Sequence, residues 1–299
     1  MELDRLVQAI RDDNRAGATE LTRRAADLML REIGGDHLSP ADFRKSLAAL
    51  GKALMAAQPT MASIFNMVNS LLLSLKETEL PPLKQISREV VADFLARLKS
   101  NSRALAHHAG AFIQEGYTVL THSYSSSVAA ALEVAHAEGK QFQLIVTESR
   151  PILEGRDLAT RLTSKGLSVK LVADSTAFRY LPQAQVVFVG ADSVASQGVI
   201  NKVGTWGLAL AAKELAIPFY VLATSEKVVP AEFPFALKEE PGNPKEVWDN
   251  PPAGLEVINL YYDLTPLKLV TAVVSEEGGR KPAEIIESAQ GLAVSPDLI

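Results

Sequence analysis

The 299-residue chain contains no cysteine, which excludes disulfides, thiolate metal sites and a cysteine nucleophile together. It is poor in histidine, and none of His37, His107, His108, His122 and His136 has helical metal-ligand spacing beside a carboxylate. No metal is therefore expected. Neither G-x-G-x-x-G nor a P-loop occurs, so no dinucleotide or nucleotide cofactor is expected either. An excess of positive charge is also missing: 30 Lys plus Arg stand against 35 Asp plus Glu, a formal net charge of -5. The overall field favours neither nucleic acid nor an anionic membrane, and any basic site has to be local. No apolar run approaches the roughly 18 residues that span a bilayer. The start, Met1-Glu2-Leu3-Asp4, is acidic where a signal peptide is basic, so the expected address is the cytoplasm.

What is present is the balance of a globular protein, with 47% hydrophobic and 22% charged residues, enough chain for one large domain or two unequal ones. Apolar residues recur at three- and four-residue spacing from Leu3 to Ile10, Leu21 to Ile33 and Phe43 to Met55, which predicts helices. Ser39-Pro40-Ala41-Asp42 supplies the start signal of the third, with Ser39 as cap and Pro40 in the first helical position. Further helices are predicted from Ala62 to Leu75 and, after Pro81-Pro82, over one or two segments reaching Gly116. Residues 1–115 thus read as a helical bundle.

From Tyr117 the pattern changes to short apolar runs at 117–121, 142–147, 168–173, 186–189, 219–223 and 269–275, separated by helical patterns. Buried strands alternating with helices predict an α/β fold over residues 116–299, a doubly wound parallel sheet with its ligand site at the carboxyl ends of the strands. Residues 225–255 carry six prolines without periodicity and read as a functional loop or an interface arm.

The residues following these strands are polar: Thr121-His122-Ser123-Tyr124-Ser125-Ser126-Ser127, then Thr147-Glu148-Ser149-Arg150, then Gly190-Ala191-Asp192-Ser193, then Thr224-Ser225-Glu226-Lys227. A serine-rich turn opening a helix offers hydroxyls and unpaired backbone N–H groups, a setting for phosphate or simply a helix cap. Arg150 offers a bidentate contact to such an anion, and Lys202 within Gly198-Val199-Ile200-Asn201-Lys202-Val203-Gly204 a second cation. Asn201-Lys202 equally suits a plain hairpin turn. Asp192 leaves a buried strand, which suits either a carboxyl of raised pKa or a turn cap. His122 fits strand-end packing as well as catalysis.

Gly190-Ala191-Asp192-Ser193, the 198–204 segment with Thr205, and Pro218-Phe219-Tyr220-Val221 closely resemble one family. That family comprises the alpha, beta and delta subunits of translation initiation factor 2B, methylthioribose-1-phosphate isomerase and archaeal ribose-1,5-bisphosphate isomerase. Thr147 to Pro151 with Glu154-Gly155, and Tyr262 to Pro266 with Ser275 to Gly278, are similar to its other motifs. In the helical half, Asp13-Asn14-Arg15-Ala16-Gly17-Ala18 resembles a substrate turn of the Arg-Gly-Ala type. Gln58-Pro59-Thr60 resembles an Arg-Pro-Thr stretch but lacks its Arg, and Asn66 lies where some relatives carry an asparagine.

The resemblance implies a helical domain packed on a Rossmann-like α/β domain, assembled as homodimers or higher oligomers through the latter. The isomerases of this family use a cysteine in the first serine-rich turn and an aspartate in the Gly-Ala-Asp motif. Asp192 matches the aspartate. Ser123 stands at the cysteine, and Tyr124 at the histidine that follows it. A thiol exchanges protons near neutrality, whereas a serine hydroxyl needs a strong neighbouring base. Two readings follow. The first is a non-catalytic or regulatory relative that binds a phosphorylated sugar or nucleotide and has a possible translation-factor partner. The second is an aldose–ketose isomerase with Asp192 as acid–base and Ser123 or His122 in the second role. The missing thiol favours the first. In both, Arg15, Ser125, Ser126, Arg150, Asn201, Lys202 and Lys227 are the expected substrate-binding residues.

Overall fold

A computed structural model describes residues 2–76, 78–231 and 241–298. Five helices come first: α1 (Glu2–Arg11), α2 (Ala18–Gly34), α3 (Pro40–Ala57), α4 (Ala62–Ser74) and α5 (Leu80–Gly110). Ser39 caps α3 as its sequence predicts, accepting the Asp42 N–H at 3.1 Å. The segment after Pro81-Pro82 forms one helix of 31 residues rather than two. The apolar faces of α1 to α5 enclose one core around Leu21, Met29, Phe43, Leu54 and Met67.

The remainder alternates as expected: β1 (Thr118–His122), α6 (Ser126–Ala137), β2 (Gln143–Thr147), α7 (Glu154–Ser164), β3 (Ser168–Val172), α8 (Ala177–Tyr180) and β4 (Val186–Val189). Then follow β5 (Ser193–Ala195), β6 (Gly198–Lys202), α9 (Thr205–Glu214), β7 (Phe219–Leu222), β8 (Tyr262–Thr265), β9 (Ala272–Ser275), β10 (Gly278–Arg280) and α10 (Pro282–Gln290). Seven strands form one sheet in the order β10-β9-β7-β4-β1-β2-β3, parallel except for β10. This is the predicted α/β class. Apolar clusters cover both faces, one under α9 and α10 and the other under α6 and α7. The last turns of α5 join the second cluster through Leu105 and Ala109, so this helix belongs to two cores.

Two departures from the sequence reading matter for the site. Asn201 and Lys202 lie on β6, not in a hairpin turn, because β5, β6 and β8 pair as a small antiparallel sheet. Part of the proline-rich arm, residues 232–240, lies outside the described residues.

The chain proceeds from β1 outward to β2 and β3, then returns to place β4 on the other side of β1. The strand order therefore reverses between β1 and β4, the place where open α/β sheets form a crevice beyond their carboxyl ends. The helical half packs over that crevice. The Ala62 N–H reaches Asp192 O at 3.2 Å, and the Asn66 amide donates to the carbonyls of Glu226 and Val228, both at 2.8 Å.

Candidate active site

Beyond β1 the backbone turns at Ser123, whose φ of 69° is left-handed and unusual for a non-glycine residue. Its N–H is held by Ser149 Oγ at 2.8 Å, and the Ser149 N–H is held in turn by Asp174 at 2.7 Å. The ends of β1, β2 and β3 are thus tied in sequence. Ser125 caps α6 by accepting the Val128 N–H, leaving the first-turn amides of this helix without intrahelical acceptors. The approach of the β4 end to this cap depends on Gly190, where a Cβ would lie 2.5 Å from Ser125 Oγ.

A second close approach positions a carboxylate. A Cβ at Gly155 would lie 1.8 Å from the Thr147 carbonyl oxygen, so only glycine lets α7 begin directly against the end of β2. Its neighbour Glu154 is thereby buried at the strand ends. Glu154 Oε1 accepts the Ser123 hydroxyl at 3.0 Å and pairs with Lys202 Nζ at 2.7 Å. Glu154 Oε2 is buried with no partner among the described residues. Lys202 also stands over the rings of Tyr261 and Tyr262, 5.3 and 5.8 Å from their centroids.

Ser123, Glu154, Lys202 and Tyr262 line one narrow cavity of about 60 Å³ together with Arg15, Ser125, Ser126, Asp192, Asn201 and Lys227. Asp192 faces it from beyond β4. Enclosure pushes its carboxyl up from the ordinary value, with the Glu154 charge adding to that effect and the nearby Lys227 and Lys202 opposing it. Lys227 donates to Ala191 O at 2.5 Å, and its ammonium is pushed down by burial against the pull of Asp192 and Glu226. Asn201 enters by way of its bond to Thr205 Oγ1 at 3.0 Å. Arg15 reaches the mouth from the turn between α1 and α2, where Asp13 accepts the N–H groups of Arg15 and Ala16. A cavity holding two buried lysines, an arginine at its mouth and a carboxyl biased toward neutrality suits a phosphate-bearing ligand.

Two residues named from the sequence lie elsewhere. Arg150 is absent from the cavity wall; its guanidinium donates to the carbonyls of Val247 at 2.9 Å and Glu246 at 3.2 Å. His122 is also absent from the wall. Its Nε2 meets the Val203 carbonyl at 2.8 Å, which requires a proton on Nε2, so Nδ1 accepts from Thr147 Oγ1 at 2.6 Å. Burial pushes this imidazole below its ordinary pKa, against the pull of the Val203 carbonyl. With both nitrogens engaged away from the cavity wall, His122 ties the ends of β1 and β2 to the turn before α9. Conversely, Glu154 and Tyr262 line the cavity, and the sequence shows each only as a member of a motif.

The model of the Initiation factor 2 subunit family matches residues 14–282. A ribose 1,5-bisphosphate isomerase of Haloferax volcanii is 33% identical, covering 91% of this chain and 86% of its own. A putative translation initiation factor eIF-2B subunit 2-like protein of Pyrococcus abyssi is 32% identical, with 88% and 90% covered. The crystal structure of the translation initiation factor eIF-2B of Pyrococcus horikoshii superposes with a TM-score of 0.84 at 27% identity, covering 95% of this chain and 98% of that one.

Proposed function

We propose, from the premise that the chain belongs to the initiation factor 2 subunit family, that it is an aldose–ketose isomerase acting on a phosphorylated ribose. Relatives named as isomerases of such sugars support this over the non-catalytic reading. The observation that carries it is the Ser123–Glu154–Lys202 link facing Asp192 across one cavity.

Converting a ribose 1-phosphate to its ketose breaks the bond between C1 and the ring oxygen and moves the C2 hydrogen to C1. It also takes a proton from the C2 hydroxyl and delivers one to the ring oxygen. Asp192, biased toward its protonated form, is the donor to the ring oxygen. Ser123 takes the hydroxyl proton while passing its own to Glu154 Oε1, whose sister oxygen has no partner among the described residues. The buried carboxylate supplies the base that a serine in place of a thiol needs. Lys202, Lys227, Arg15 and the α6 N-terminus hold phosphate oxygens.

Turnover of ribose 1,5-bisphosphate and methylthioribose 1-phosphate followed by NMR tests this reading. Conversion of either by the wild type and its loss in Asp192→Asn are expected. Absence of turnover of both would return the chain to the ligand-sensing reading that its missing thiol favours.

A division near residue 115 and a homo-oligomer are part of the same proposal. Phe178, Trp206 and Leu210 form an exposed apolar face along α8 and α9, which supports pairing through the α/β half. Light scattering showing a monomer at micromolar concentration would overturn it. No described helix is long and apolar enough to cross a membrane.

A further inference from the structure

Beside the narrow cavity lies an open cleft of about 710 Å³ between the helical half and the α/β half. The two share Arg15, Tyr124 and Ser126, so one opens into the other. Five cations line the cleft: Arg15 from the α1–α2 turn, Arg23 from α2, Lys99 and Arg103 from α5, and Arg161 from α7. Among the described residues that line it, only Glu20 and Asp157 oppose them, and Glu20 is already paired with Arg24 at 3.1 Å. Arg161 is held by Glu133 at 2.7 Å and by the Tyr124 hydroxyl at 2.9 Å, which fixes its position at the cleft wall. Arg15, Arg23, Lys99 and Arg103 make no ion pair to a described residue. Three elements of the helical half, the α1–α2 turn, α2 and α5, in a chain with net charge -5, thus turn four unpaired cations toward one space, with the anchored Arg161 on the opposite wall. Such gathering is unfavourable by mutual repulsion unless an anion occupies the space between them.

We propose that this cleft is a second anion site, outside the narrow cavity, that binds a phosphoryl group through Arg23, Lys99 and Arg103, with Arg15 bridging the two spaces. The hydroxyls of Thr19 and Ser126, 3.4 Å apart, lie beside it, and one of the two keeps a proton for a ligand. The phosphoryl group has two sources: the far end of a bisphosphorylated ligand whose other end fills the narrow cavity, or a separate phosphorylated small molecule.

Calorimetry with inorganic pyrophosphate as probe tests the site on the full chain, with no requirement for turnover. Lys99→Ala with Arg103→Ala removes two exposed side chains, so the fold is retained, as a matching thermal melt checks. Pyrophosphate affinity is expected to fall about 10-fold or more in this variant, a change of the size charged hydrogen bonds produce. It is expected to be unchanged in Ser123→Ala, which alters only the narrow cavity. Competition of pyrophosphate with ribose 1,5-bisphosphate assigns the site to the far phosphate of that ligand. Simultaneous binding of both assigns it to a separate molecule. Equal affinity in wild type and double variant, or no heat with pyrophosphate at about 1 mM, a concentration that detects even weak sites, would overturn the proposal.

Discussion

Ser123 and Glu154 are joined by a hydrogen bond of 3.0 Å, and the accepting oxygen is the one that pairs with Lys202 at 2.7 Å. A serine hydroxyl alone has far too high a pKa to trade protons at neutral pH. A buried carboxylate on its oxygen, itself fixed by a lysine, changes what that hydroxyl can do.

Glu154→Gln keeps an acceptor for the Ser123 hydroxyl but cannot take its proton. The expected result is a kcat about 10²- to 10⁴-fold lower with KM little altered, the range for loss of one general acid–base group. Steady-state kinetics on the better of the two sugar phosphates measures this. A thermal melt of the same sample separates it from unfolding, since the substitution also leaves the buried Lys202 without its counter-ion. Unchanged kcat would remove Glu154 from the chemistry.

His122 is expected to behave in the opposite way. His122→Gln breaks the contacts to Thr147 and Val203 at a residue with 2% exposure, so stability should drop by about 1–3 kcal/mol, the cost of buried polar groups left unpaired. The pH profile of kcat should keep its shape. A profile that loses one limb in this variant would make the imidazole a proton carrier after all.

Much of this was legible from residue order. Strands buried on both faces read as uninterrupted apolar runs, and β1, β2, β4 and β7 were readable for that reason. Ser123 and Asp192 were legible because polar residues immediately after such strands fall at the crevice. Glu154 was not, because its burial comes from Gly155 meeting Thr147 O across a tertiary contact. The small sheet escaped notice because β5 has three residues and pairs with β6, whose other partner β8 is some sixty residues away. The direction of the Arg150 side chain is set by carbonyls 96 and 97 residues further on, which no local pattern reveals.

For Arg150 the expectation is accordingly reversed from a loss of affinity to none. Its guanidinium braces the turn at Glu246 and Val247, and Arg150→Ala should leave sugar-phosphate affinity within about 2-fold, as for substitutions away from a binding site. Calorimetry decides, and a loss of about 10-fold would mean that the side chain swings to the ligand.

Asp263 gives the molecule a pH dependence of the less common sign. On β8 it accepts the N–H groups of Gly204 at 2.8 Å and Trp206 at 3.1 Å, capping α9, while its other oxygen is buried without a partner among the described residues. Burial outweighs those two bonds and raises its pKa from 3.8 to about 6. Between those values the folded state holds a proton that the unfolded state releases. Its contribution to stability is therefore fully present below about pH 4 and is lost as pH rises through about 6. Allowing for screening at a half-buried carboxyl, that loss amounts to roughly 1–2 kcal/mol. Asp263→Asn keeps an oxygen for both N–H donors and carries no charge, so it should be more stable than the wild type at pH 7.5 and lose this advantage toward pH 4, in buffers chosen about those values. Denaturant melts across the range measure the difference between the two proteins. A difference that stays constant with pH would show that Asp263 ionises in the folded chain as easily as in the unfolded one.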